Sequence, residues 1–121
     1  MVKRTGPTNP SLQQLIRDLK KLSAQKQVKL WKRIAKDLER PTRIRRKVNL
    51  YKIDRYLREG ETAIIPGKLL SLGNLTKKAE ISAYQISEQA KEKITKAGSK
   101  FLTIQELMEK NPQGKKIRII G

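Results

Sequence analysis

The spacing of apolar residues changes at Glu61, which limits the chain to helices first and a mixed strand–helix body after them. Before that point Leu12, Leu15, Ile16, Leu19 and Leu22 recur at helical intervals and form one stripe. Asn9-Pro10 supplies a capping residue followed by a preset φ, so the helix is predicted to begin there. A second helix fits about residues 29–39, with Leu30, Trp31, Ile34, Ala35 and Leu38 on one side and Pro41 ending it. Trp31 reads as a core anchor rather than a stacking platform. The polar residues 23–27 are expected to form a loose connection. A third helix fits 50–59, capped by Asn49 and closed by Gly60. Ile53 and Leu57 would face inward, Lys52 and Arg55 outward, and Asp54 would pair with Arg58 four residues on.

After Glu61 the runs shorten. Residues 62–65 are β-prone and are expected to stop at a Pro66-Gly67 turn. A second short run over 68–72 would be broken by Gly73-Asn74. Residues 79–86 read as a strand. Ser87 is placed to cap a helix carrying Ala90, Ile94 and Ala97 on one face, with Gly98 at its end. A strand over 100–102 leads to Thr103 and Glu106, which have the spacing of a capping box. The turn Asn111-Pro112-Gln113-Gly114 then precedes a last strand over 116–120. Strands interleaved with short helices predict an α/β layout. The length, 121 residues, suits one domain, read as a basic helical region 1–58 and an α/β scaffold 59–121.

Charge separates the same two regions. The chain carries 29 Lys+Arg against 11 Asp+Glu, a net of +18. Residues 1–58 hold 18 basic and 4 acidic residues, whereas 59–121 hold 11 and 7. So large a surplus repels itself and adds nothing to the fold. It makes sense against a polyanion, whose condensed counterions are released on contact. Nucleic acid fits best, with a membrane surface or another polyanion as the alternative. The densest run, Thr42-Arg43-Ile44-Arg45-Arg46-Lys47, follows a helix-ending proline and is expected to be a loop or extended segment. Arginine forks there could grip phosphate in a bidentate way; a nuclear-localisation run is the competing reading.

Several classes of chemistry are excluded or weakened. With no Cys there is no disulfide framework or thiolate metal site, and with no His the commonest general base and metal ligand are missing. Gly67-Lys68 has Thr62 and Leu69 where a phosphate loop needs glycine and a hydroxyl residue. Glu59 and Glu61 flank a glycine with nothing to place them in one pocket. The serines lack a histidine partner, and a Ser–Lys dyad has no distinguishing context. No cofactor, metal or small-molecule substrate is expected. Residues 1–10 lack the apolar core of a signal peptide, and no apolar run approaches the roughly 20 residues that span a bilayer. A soluble, cytoplasmic chain without a membrane partner is the expectation.

Five segments together carry a family resemblance: Arg45-Arg46-Lys47-Val48-Asn49-Leu50 with Ile53; Pro66-Gly67-Lys68-Leu69-Leu70; Gly73-Asn74-Leu75-Thr76-Lys77-Lys78; Ala90-Lys91-Glu92-Lys93-Ile94 with Ala97-Gly98; and Asn111-Pro112-Gln113-Gly114 through Ile117-Arg118-Ile119-Ile120-Gly121. In their order and spacing the chain resembles the archaeal form of the large-subunit ribosomal protein family eighteen-e, a relative of bacterial large-subunit protein fifteen. The resemblance runs from Asn9 to Gly121. Ser71 and Tyr84-Gln85-Ile86 depart from the usual pattern, at positions of turn and packing character. The resemblance implies an irregular strand-strand-helix superhelical globular domain preceded by a basic helical N-terminal arm. It also implies binding to large-subunit rRNA beside neighbouring ribosomal proteins, with no catalysis. The expected RNA contacts are Lys3, Arg4, Lys32, Arg33, Lys36, Arg43, Arg45, Arg46, Lys47, Lys52 and Arg55, with Lys68, Lys77 and Lys78 on glycine-flanked loops. A general DNA- or RNA-binding protein of chromatin or helix-turn-helix type is the rival reading, its two basic helices preceding the scaffold.

Overall fold

A computed structural model describes residues 10–39 and 46–120. Helix α1 (Pro10–Lys26) opens on the proline, where a missing N–H costs nothing; Asn9 and Pro41 lie outside the described residues. Leu12, Leu15, Ile16 and Leu19 are buried on one side of it. Helix α2 (Lys29–Leu38) buries Trp31, Ile34, Ala35 and Leu38. The loose connection expected at 23–27 is not found. Residues 23–26 hold no Gly or Pro and stay helical, and Gln27 makes the turn with a φ of 55°. The Ser23 hydroxyl donates to the Val28 carbonyl at 2.7 Å, and Val28 N–H returns to the Ser23 carbonyl at 3.2 Å. The two helices therefore form a tight hairpin.

Five strands follow: β1 (Arg46–Asn49), β2 (Thr62–Leu70), β3 (Glu80–Ile86), β4 (Lys100–Leu102) and β5 (Ile117–Ile119). Between them lie α3 (Leu50–Tyr56), α4 (Glu88–Lys96) and α5 (Ile104–Lys110). Every pairing is parallel, in the order β1-β2-β3-β4, with β5 also beside β2. One edge of β2 is shared: Thr62–Ile64 pair with β5 and residues 67–70 with β1.

Four expectations need correction here. Pro66-Gly67 is not a turn, and 62–65 and 68–72 are not separate runs. A single strand passes through with a register shift between Ile65 and Lys68, the kind of irregularity at which a proline without an N–H can sit in a sheet. Arg46 and Lys47, from the run expected to be a loop or extended, take the extended form in β1, because residues 67–70 offer them a free ladder. Helix α3 ends at Tyr56, short of residue 59, where Leu57 turns to extended geometry. Its preceding Asn49 makes no side-chain cap; that side chain accepts from Leu72 N–H at 3.2 Å. Asp54, matched in sequence with Arg58, instead accepts from Thr76 N–H and its hydroxyl at 2.8 and 2.7 Å. The Ser87 cap and the Thr103/Glu106 capping box form as expected.

Alternation along the strands feeds two apolar layers, as a pleated sheet requires. Ala63, Ile65, Leu69, Ile81 and Ala83 pack with Ile53 of α3 and with Ala90 and Ile94 of α4. Ile64 joins the opposite layer with α1, α2, Ile104 and Leu107. The helices that come first in sequence thus cover one face of the sheet. Trp31 anchors them: it is fully buried, and its Nε1–H donates to the Pro112 carbonyl at 2.8 Å. Gly114 (φ 67°) lets that turn close on α2, since a Cβ there would sit 3.0 Å from Leu30.

Candidate nucleic-acid interface

Some cations are consumed by the fold. Arg118 grips Glu61 through Nε and an Nη at 2.8 and 3.1 Å, and Arg58 N–H adds a third bond at 2.8 Å. The Arg118 contact, then the Arg58 amide, hold the Glu61 carboxyl below its usual range, which makes it a poor proton shuttle. Lys93 Nζ donates to the Ser71 and Gly73 carbonyls at 2.9 and 3.0 Å. Lys110 pairs with Glu80. Lys77, an expected RNA contact, donates to the Leu57 carbonyl at the end of α3.

Other cations meet no carboxylate or carbonyl among the described residues. Parallel register sets Lys47 beside Lys68, and Lys68 beside Gln85. All three are exposed, while Val48 and Leu69, one residue on, are buried. The row therefore lies on the sheet face opposite α3 and α4. Adjacent strands stand about 4.8 Å apart, so two like charges face one another without an intervening acid. That juxtaposition opposes folding and favours an anion. Lys32, Arg33 and Lys36 are exposed on α2 with Lys29, opposite its apolar side. On α3, Arg55 is exposed, with its guanidinium 5.9 Å from the centre of the Tyr56 ring, and Lys52 is half-buried. Lys78 is exposed. The remaining expected contacts, Lys3, Arg4, Arg43 and Arg45, lie outside the described residues, and of Arg46 only the backbone is described.

Sequence reasoning missed the organisation of the loop after β2. Asn49 holds it from the end of β1, the Tyr51 amide and Asp54 from α3, and Lys93 with Gln89 from α4. Partial burial pushes the Asp54 carboxyl up, but the Thr76 N–H and hydroxyl, with the Lys77 charge and amide, together bring it below its usual value. Its Gly73-Asn74 dipeptide signalled a turn, but the bonds join residues some 20 apart and carry no local signature. Among the described residues no His/Cys/Asp/Glu group could hold a metal, and no helix is long and apolar enough to cross a membrane.

Residues 2–121 match the family model for ribosomal protein 60S L18 and 50S L18e. A large ribosomal subunit protein eL18 of Methanothermobacter thermautotrophicus is 45% identical over 120 residues, covering 99% of each chain. Its namesake in Methanopyrus kandleri is 45% identical over 121 residues, covering 96% of this chain and 95% of its own. That of Pyrobaculum aerophilum is 41% identical over 116 residues, covering 96% and 95%.

Proposed function

The chain belongs to the family of ribosomal protein 60S L18 and 50S L18e, and from that premise we propose how its surface serves the particle. It is a structural constituent of the large ribosomal subunit, with its place in the cytoplasm as part of the ribosome. It binds and stabilises folded large-subunit rRNA beside neighbouring ribosomal proteins and performs no catalysis. The pair Lys47 and Lys68, unpartnered among the described residues, is the observation that carries this reading: two adjacent cations without a counter-charge there fit a crowded phosphate backbone. The exposed cations of α2 extend the positive surface, and Lys3, Arg4, Arg43, Arg45 and Arg46 add to it in sequence. Such contacts position a protein without reading sequence, so recognition is chiefly of RNA shape. Lys77 keeps a structural role in this reading.

Sucrose-gradient fractionation of cell extract, with detection of this chain, tests the assignment. The chain should travel with the large subunit through washes at moderate salt. Recovery only with chromosomal DNA would contradict it and favour the chromatin-like alternative.

A further inference from the structure

We propose that the outward face of α3 receives an unstacked base of the bound rRNA against the ring of Tyr51, an inference that rests on the rRNA reading above. Among the described residues the exposed large apolar side chains are Tyr51 (49%), Tyr56 (53%) and Leu72 (65%). All three gather at α3 and the loop seated on it. Tyr51 N–H donates to the Leu72 carbonyl at 3.1 Å. Gly73, at a φ of 97°, lies so close that a Cβ there would be 2.5 Å from that of Tyr51. Lys93 fixes the Gly73 carbonyl from below. The root of the Tyr51 side chain is therefore set by the fold, while half of the residue remains open to solvent.

The neighbours decide the occupant. Lys52 follows Tyr51, and Arg55 lies one turn further along the same side of α3. The core of a protein–protein interface is depleted of lysine, which stands here as Lys52; a nucleotide needs an aromatic face for its base and cations for its phosphates. Arg55 already stands over Tyr56, whereas among the described residues the Tyr51 ring carries no such cation. Tyr51 is thus the open platform, with Lys52 and Arg55 placed for the flanking phosphates.

The test compares the parent protein, Tyr51→Ala and Tyr51→Phe on large-subunit rRNA, reading affinity and base-specific chemical modification. Alanine keeps the Cβ on which Gly73 rests, so thermal melting should be unchanged and the readout should report contact. The parent should protect an unpaired base. Tyr51→Ala should lose that protection and bind about tenfold more weakly, and Tyr51→Phe should retain both. Parent-like binding and protection by Tyr51→Ala would overturn the proposal while leaving rRNA binding intact. So would an unchanged rRNA footprint with loss of a neighbouring ribosomal protein from reconstituted particles, which would assign the patch to protein. Failure of the parent itself to bind rRNA would overturn both readings.

Discussion

Lys68 and Lys93 carry the same ammonium group and do opposite things. Lys93, on α4, reaches two carbonyls of the loop after β2 and disappears into the fold. Lys68, on β2, stands beside Lys47 with no carboxylate or carbonyl to meet among the described residues. The contrast extends to the two regions. In the carboxyl-terminal half Arg118, Lys110, Lys93 and Lys77 all close onto Glu61, Glu80 or backbone oxygens. Along α2, Lys29, Lys32, Arg33 and Lys36 face solvent. Charge therefore builds the scaffold where an acceptor is in reach and stays unpaired at the surface where none is.

The comparison breaks first at the core, if the α1–α2 layer is a detachable arm instead of a face of the sheet. Trp31→Ala should then cost little. With Trp31 fully buried and bonded to Pro112, it should instead destabilise the protein by about 3–5 kcal/mol, read as a fall in the denaturant midpoint. Next in size, Lys93→Met should cost about 1.5–3 kcal/mol, since it leaves two part-buried carbonyls without a charged donor. Lys96→Met, on the exposed side of the same helix, should stay within about 0.5 kcal/mol.

Acid sharpens the scaffold side. Hydrogen bonding holds Glu61, Glu106 and, against partial burial, Asp54 below their ordinary values in the folded state. Each therefore binds protons more weakly folded than unfolded. Its contribution is complete above the unfolded values of about 4 and is lost as pH falls through the folded ones. Melting temperature followed downward from pH 6 should decline below about pH 4.5, less steeply in Glu61→Gln. The smallest effect has the opposite sign to the rest: Lys47→Gln should stabilise the free protein by a few tenths of a kcal/mol by relieving its repulsion with Lys68.

Much of this division was legible in the sequence. The α1 and α2 stripes, the Trp31 anchor, the Ser87 cap and the capping box depend on residues within one or two turns of each other, and all form as the spacing implies. What escaped notice depends on distant partners. Pro66-Gly67 reads as a turn until β1, β3 and β5 line both edges of β2. Asn49 reads as a cap until Leu72 arrives across 23 residues to take its side chain. Lys77 reads as a free cation until the end of α3 offers it a carbonyl. The candidate surface was half visible for the same reason: a basic residue announces its charge, and only the tertiary neighbours decide whether that charge is already used.

The proposed contact of the adjacent pair Lys47 and Lys68 with rRNA is the central claim, and charge-matched removal tests it. Affinity for large-subunit rRNA would be measured across a salt series for Lys47→Gln/Lys68→Gln and for Lys91→Gln/Lys96→Gln, which removes two exposed cations from α4. The sheet pair should lose at least about tenfold, and its slope of log affinity against log salt should shallow by roughly 1.4–1.8 for two phosphates released; the α4 pair should stay within about threefold. Equal losses from the two would mean that net charge alone drives binding, and would contradict the account.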